Sequence, residues 1–371
     1  MSQFRIVPDI YEFQSFKEFA GVFKLNSHDL VITQKVMYEP YMEPLKLKCH
    51  FVFQESFGGG EPTDRMVNRI LTSVEDVNYD RVIAIGGGTV IDISKILSLT
   101  AVKDIEDVFE NPHLYKKEKN LIIIPTTCGT GSEVTRSVII HSTGKESKVR
   151  LTSDDYFASS AVLIPELLGT LPYEPFILSA IDAMVHGAES YLSPRATSYT
   201  ELFSLEAVRL LGEVFVQMSK EGKDSRFTKV GDALKASNYA GIAFGNAGCG
   251  AVHALSYPLS GRYGVNHGQS NYQFFTEVLY TYYRMKPEGK ITNLLECFAG
   301  FLRCDKAEAI SKLSELLETL FHKKKLHEFG MKEEEIKTFS EEIDQTLQGV
   351  LATNYVPLSI EDLLEIHRKL Y

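Results

Sequence analysis

Two short runs constrain this chain more than any other feature: "RVIAIGGG" over residues 81–88 and "NLIIIPTT" over residues 120–127. Neither alternates apolar with polar residues, so a strand made from either must be covered on both faces. Runs of this kind, bounded by turn residues and separated by helical patterns, belong to a parallel sheet with helices on both sides. With "DLVIT" at 29–33 as a further strand, the N-terminal half reads as α/β.

Each run leads into a glycine-rich stretch. Gly86, Gly87 and Gly88 remove side chains where backbone N–H groups at a helix N-terminus can approach a pyrophosphate, whose charge the helix dipole favours. The same triplet also suits a plain strand-to-helix turn, and neither GxGxxG nor a GxxxxGK loop is present. The second stretch, "PTTCGTGSEVT", sets Thr126, Thr127, Thr130 and Ser132 around Gly129 and Gly131. Two such loops at the carboxyl ends of strands are placed as a dinucleotide crevice requires. Cys128 reads as a packing residue, since no GxSxG elbow surrounds it.

Beyond about residue 170 the strand signal gives way to helical patterns, for example the stripe Ile310, Leu313, Leu316, Leu317 and Leu320. Pro357 and Ser359, with Asp362 three residues on, predict a capped start to the last helix. The expected organisation is an α/β dinucleotide-binding domain over 1–168 and an all-helical metal-binding and substrate domain over 169–371. "HKKKLH" and "KEEEIK" read as solvated faces.

A length of 371 residues and 44% hydrophobic content support two cores. Acidic residues outnumber basic ones 49 to 39, for a net charge of −10, which argues against a nucleic-acid partner. No apolar run approaches the roughly 20 residues that span a bilayer, and the N-terminus lacks a basic-then-apolar leader. A cytoplasmic protein without a membrane partner is expected. Five cysteines, with no CxxC pair, favour reduced thiols over disulfides or a cysteine zinc site.

In "IDAMVHGAES", residues 181–190, Asp182 and His186 stand one helical turn apart on the same face. His253 and His267 follow, separated by a Pro258-containing stretch that reads as a bend. One carboxylate and three imidazoles would serve a borderline divalent ion that can still accept a substrate oxygen. Each residue alone also reads as an ordinary cap, core or surface group. The small residues Gly248, Gly250, Ala251 and Gly268 around the later pair favour the metal, because they let backbone and ligand come close. The other histidines read as structural.

GGGTVID, PTTCGTGSEVT, DAMVHGAE, HALSYPL and GVNHG, in this order and spacing, resemble the iron-containing (group III) alcohol dehydrogenases along essentially the whole chain. Within that family, "SNYAGIAFGNAGCGAVHALSYP", "FGMKEEEIKTF" and the "RKLY" terminus resemble the NAD-dependent 4-hydroxybutyrate dehydrogenases. The resemblance implies a dehydroquinate synthase-like architecture and hydride transfer between NAD(H) and a primary alcohol or aldehyde. The substrate would be a small molecule carrying a carboxylate, for which Arg136, Arg150 and Arg262 are candidate anchors. By motif, the metal ligands fall on Asp182, His186, His253 and His267, for Fe²⁺ with Zn²⁺ as substitute. Cofactor contacts fall on Gly87, Gly88, Thr89, Asp92, Thr126, Thr127 and Thr130, with Lys148 beside them.

Two positions depart from the family pattern. Gln34 stands where many members carry an Asp that disfavours a 2′-phosphate, so NADP is admitted beside NAD. Tyr257 replaces a histidine that is a candidate proton carrier; Tyr257 either takes that role or shapes the pocket, and with His267 it is the catalytic candidate. The family also implies a homodimer. Competing readings are a polyol dehydrogenase or dehydroquinate synthase-like lyase, and a non-catalytic nucleotide- or metal-binding protein. Glycerol dehydrogenase-like members lack a ligand at the place of His186.

Overall fold

The computed structural model describes residues 3–145 and 147–371. Its sheet has six parallel strands in the order β1 (Asp9–Glu12), β8 (Ser160–Leu163), β5 (Asn120–Pro125), β4 (Arg81–Gly86), β2 (Asp29–Thr33) and β3 (His50–Phe53). Ile83 is in register with Val31 on one side and Ile122 on the other. The absence of alternation in the strands is explained by their two coats. Leu30, Ile32, Val82, Ala84, Leu121 and Ile123 enter one core, while Val31, Ile83, Ile85, Ile122 and Ile124 enter the other. The chain runs from β2 outward to β3 and then returns to the far side of β2 as β4. The carboxyl end of β4, with its glycines, therefore lies at the topological switch point, where open α/β sheets bind ligands.

The sequence signal missed four pieces of this unit, the first being β8, which is fully buried but only four residues long. Strand β1 is a fully exposed edge strand without an apolar run, and β3 is only half-buried, with an apolar run of just Phe51, Val52 and Phe53. Strands β6 (Ser137–Ser142) and β7 (Ser147–Thr152) form a separate antiparallel hairpin whose side chains alternate buried and exposed.

The second unit is built from helices, with no strand among its described residues. The division falls between Leu171 and Pro172, slightly beyond the expected 168/169 boundary. Leu167 and Leu168 are still buried in a turn of the first unit, and Pro172 caps the next helix, Tyr173–Leu192. The described residues ahead of Ile6 group with the helical unit instead. Asn246 holds the Arg5 backbone there, its amide donating to the carbonyl at 3.0 Å and accepting from the N–H at 2.8 Å.

Pro258 does not make the expected bend. It lies inside a continuous helix, Ala251–Tyr263, and the chain turns at Gly264, whose φ of 63° is left-handed. Glycine takes that conformation without the steric cost a Cβ would bring. The cap at Ser359 is as the sequence predicts: its hydroxyl accepts from Asp362 N–H at 3.2 Å and Asp362 Oδ2 accepts from Ser359 N–H at 2.8 Å.

His367, on that last helix, is buried against Phe274, with Nδ1 2.9 Å from the Leu363 carbonyl and 3.1 Å from Ser340 Oγ. Burial pushes the imidazole down to about 4, with the Leu363 carbonyl opposing. The unfolded chain therefore binds this proton more readily than the folded one. The contribution is complete above about pH 6.5 and is lost as pH falls toward 4, by roughly 3 kcal/mol. Urea midpoints followed across this range should fall more steeply for the wild type than for His367→Leu; parallel curves would refute the assignment.

Candidate metal centre

Three helices of the second unit deliver the four residues singled out in the sequence. Helix Tyr173–Leu192 is buried along nearly its whole length and carries Asp182 and His186 one turn apart. Helix Ala251–Tyr263 brings His253, and helix His267–Met285 opens with His267. One ligand atom from each lies within 4.8 Å of all the others. The Nε2 atoms of His186 and His253 are 3.0 Å apart, and His267 Nε2 is 3.8 Å from Asp182 Oδ1. Asp182, His186 and His253 are 3 to 5% exposed.

The close approach has a backbone cause. A Cβ on Gly268 would lie 2.4 Å from the Leu178 carbonyl oxygen and 3.4 Å from Asp182 Cβ, so only glycine lets the His267 helix reach the Asp182 helix. A Cβ on Gly250 would stand 2.9 Å from Asn354 Oδ1 and 3.2 Å from Glu189 Oε1.

Three further residues complete the site. Glu189 Oε2 is 2.6 Å from His253 Nδ1, and Oε1 accepts the Val252 N–H at 2.6 Å. This carboxylate accepts the hydrogen bond of Nδ1–H, so in the neutral ring His253 Nε2 points its lone pair at the cluster. Phe244 stacks on His186 with ring centroids 4.2 Å apart. Asn271 is fully buried among the ligands, its Nδ2 2.7 Å from Asp182 Oδ1. The sequence carried a signal for two of the three: Glu189 continues the Asp182, His186 stripe by one turn, and Asn271 stands one turn after His267.

Burial would raise the Asp182 carboxyl, but His186, His267 and His253 with the Asn271 amide hold it below the usual carboxylate range. For His253, burial opposes charge, yet Cys249 and Glu189 raise it well above an ordinary imidazole. Carboxylate, three converging imidazoles and a carboxylate behind one of them form a donor set that suits Fe²⁺ or Zn²⁺. Glu189→Gln keeps the shape but turns an NH₂ toward one of two N–H donors. Metal affinity, read by chelator competition, should fall about 10- to 100-fold; unchanged affinity would remove Glu189 from the site.

In the first unit the two glycine-rich loops lie against each other. A Cβ on Gly87 would meet Thr127 Cγ2 at 3.3 Å, and one on Gly88 would meet Thr130 Cγ2 at 3.3 Å. Thr126 N–H donates to the Gly86 carbonyl at 3.1 Å, linking the strand ends. Thr89 Oγ1 donates to the Gly60 carbonyl at 2.9 Å, and Lys148 Nζ pairs with Glu61 at 2.8 Å. Gln34, at the end of β2, donates to Gln54 Oε1 at 3.3 Å. Asp92 sits behind the loops, accepting from Ser132 Oγ at 3.0 Å and Ile139 N–H at 3.0 Å. That placement makes it a loop tie. Arg136 pairs with Asp154 at 2.9 Å, Arg262 pairs with Glu342 and covers Phe339, and Arg150 donates to Ser137 Oγ at 3.3 Å. Tyr257 is half-buried one turn after His253. None of the five cysteines is in a disulfide, and no helix among the described residues is long and apolar enough to cross a membrane.

Comparison with known proteins covers both units. The family described as iron-containing alcohol dehydrogenase matches residues 10–165, and the C-terminal domain of the Fe-containing alcohol dehydrogenase family matches residues 176–371. The chain is 46% identical over 371 residues, 100% of both chains, to 4-hydroxybutyrate dehydrogenase of Clostridium kluyveri. It is 29% identical to long-chain-alcohol dehydrogenase 1 of Geobacillus thermodenitrificans over 92% of this chain and 88% of that one. Sulfoacetaldehyde reductase from Bifidobacterium kashiwanohense, solved with NAD⁺, superposes with a TM-score of 0.86 at 19% identity, covering 100% of this chain and 98% of that one.

Proposed function

The chain belongs to the iron-containing alcohol dehydrogenase family, and we propose that it interconverts 4-hydroxybutyrate and succinate semialdehyde with NAD as hydride carrier. The observation that carries this reading is the 46% identity along the full length of a 4-hydroxybutyrate dehydrogenase, joined to the four-residue metal cluster. The glycine-rich loops would hold NAD, which would supply hydride transfer at C4 of its nicotinamide. The metal, Fe²⁺ with Zn²⁺ as substitute, supplies Lewis-acid polarisation of the substrate oxygen when bound.

The protein's part is positioning. Asp182, His186, His253 and His267 hold the ion, and Glu189 fixes the tautomer of His253. Gly87, Gly88, Thr89, Thr126, Thr127, Thr130 and Lys148 hold the cofactor. Gln34 puts no charge beside the ribose 2′-position, so a 2′-phosphate is not repelled and NADP is admitted beside NAD. Tyr257, on the same helix face as His253, carries the proton between substrate and solvent. The substrate carboxylate takes an arginine among Arg136, Arg150 and Arg262. Arg136 and Arg262 are half-exposed and their ion pairs are worth about 0–1 kcal/mol, so exchange of partner costs little. The working form is a cytoplasmic homodimer.

Anaerobic, Fe²⁺-reconstituted protein should form NADH from NAD⁺ and 4-hydroxybutyrate faster than from butanol or glycerol. Turnover of butanol or glycerol in preference to 4-hydroxybutyrate would overturn the substrate assignment while leaving the family intact.

A further inference from the structure

Gln34 leaves two tasks undone at the carboxyl end of β2. An Asp there would cap the helical turn that follows and would set a negative charge beside the ribose 2′-hydroxyl. Gln34 precedes the turn Lys35–Met37 but makes no side-chain cap bond. Its amide is engaged sideways instead: Nε2 donates to Gln54 Oε1 at 3.3 Å, and Gln54 Nε2 donates to the Gly58 carbonyl at 2.7 Å. A carbonyl only accepts, so Gln54 presents its NH₂ to Gly58 and its oxygen to Gln34. The Gln34 side chain is thereby tied toward β3.

Register places this tie. Ile32 pairs with Ala84 of β4, and Thr33 pairs with Phe53 of β3. Carried along the strands, that register sets Gln34 level with Gly86 of the phosphate cradle on one side and with Gln54 on the other. Neighbouring strands lie about 4.8 Å apart. The adenosine ribose of a pyrophosphate held at the end of β4 therefore reaches over the end of β2 toward β3.

Glu55 stands there. It follows Gln54, is exposed, and its Oε1 accepts the Lys35 N–H at 2.8 Å. That nitrogen is bonded to the Gln34 carbonyl carbon, so the Glu55 carboxylate lies against the backbone of residue 34 itself. The cap that Gln34 does not make is thus supplied from the next strand. The Lys35 ammonium lies 6.0 Å over the Phe53 ring, and no cation pairs with Glu55 among the described residues. The negative charge is left facing the ribose position.

We propose that Glu55, reaching in from β3, is the residue that makes this chain prefer NAD to NADP. The proposal rests on the reading of the glycine-rich loops as the NAD site. Gln34 by itself does not repel a 2′-phosphate; Glu55 sets the repelling charge beside the same ribose and keeps Oε2 available to accept the 2′-hydroxyl of NAD. Under water-like screening one carboxylate at this range disfavours a phosphate of charge near −2 by about tenfold. NADP is admitted, but more weakly.

The test measures dissociation constants of NADH and NADPH by fluorescence titration of the metal-reconstituted protein, for wild type, Glu55→Gln and the double variant Glu55→Gln with Gln34→Asp. Thermal melts first confirm that each is folded. The glutamine at 55 still accepts from the Lys35 N–H, so the change removes charge and little else. Wild type should bind NADH about tenfold more tightly than NADPH, and the gap should narrow at about 0.5 M salt because Glu55 is exposed. In Glu55→Gln the preference should vanish through tighter NADPH binding, and Gln34→Asp should bring it back from β2. A residue that only caps the turn would move both cofactors together and leave their ratio as it was. An unchanged ratio in Glu55→Gln, or a wild type that binds NADPH as well as NADH, overturns the proposal. Failure of the wild type to bind either reduced cofactor overturns the NAD reading with it.

Discussion

Lys95→Met is expected to destabilise the nucleotide-binding unit by about 3–5 kcal/mol, the cost typical of stripping one partner from a buried charge cluster. Lys95 is fully buried in the helix that follows the glycine triplet. Its ammonium donates to Ser132 Oγ at 2.8 Å and to the Ser137 carbonyl at 2.8 Å, and lies 3.8 Å from Asp92 Oδ1. Ser132 in turn donates to Asp92, so one hydroxyl joins lysine to carboxylate. Burial works against both charges, lowering Lys95 and raising Asp92, with their mutual attraction and Glu133 offsetting only part. Methionine fills the volume but leaves Asp92 and the 1%-exposed Glu133 without their cation.

The consequence reaches the cofactor. Ser132 is anchored from the first glycine helix and its own N–H is held by Thr130 Oγ1 at 3.3 Å, so loosening Ser132 loosens the second loop. The variant should therefore raise KM for NAD⁺ more than it lowers kcat, while KM for the alcohol changes little. Adding Asp92→Asn removes the stranded charge and should return part of the stability, a coupling that a double-mutant cycle reads directly. Urea midpoints equal in wild type and Lys95→Met would show that the cluster is not electrostatically tied.

Comparing what the sequence disclosed with what it hid separates two kinds of information. The central strands were legible because both faces of β4 and β5 are covered, which leaves no polar position in either strand after its first residue, Arg81 or Asn120. Edge strand β1 was not, since a fully exposed strand carries no apolar periodicity, nor was the β6–β7 hairpin, where exposed Ile139 and buried Ser142 blur the alternation that a one-sided strand otherwise shows. The four ligands were legible as chemistry, because Asp182 and His186 share a face and small residues surround His253 and His267. Their meeting was not, since it depends on helices far apart in sequence packing at close range. Asn271 and Glu189 stood one turn from ligands already identified, but an amide and a glutamate on a helix are too common to single out alone. Asp92 shows the opposite case. Motif position placed it beside the cofactor, whereas its oxygens serve Ser132 and Ile139 N–H behind the loop.

Gly268→Ala is expected to dismantle the metal centre without touching a ligand. The added methyl would lie 2.4 Å from the Leu178 carbonyl oxygen and 2.9 Å from its carbonyl carbon, both backbone atoms in the middle of a buried helix. Neither can rotate away, so the two helices must separate. Overpacking of this kind costs about 1–3 kcal/mol in stability. The larger effect falls on binding, because Gly268 adjoins His267 while Leu178 lies one turn before Asp182. Any separation lengthens the 3.8 Å gap between His267 Nε2 and Asp182 Oδ1 and carries Asn271 away from both. Metal affinity should fall at least about 100-fold, the upper end of what misplaced supporting groups cost, and turnover should fall with it. Excess Fe²⁺ should restore activity only in part, because the ion refills a shell whose donors no longer converge. A Gly268→Ala protein that binds Fe²⁺ and turns over like the wild type would mean that the two helices have room to slide, and that the ligand geometry is set by the ion and not by the fold.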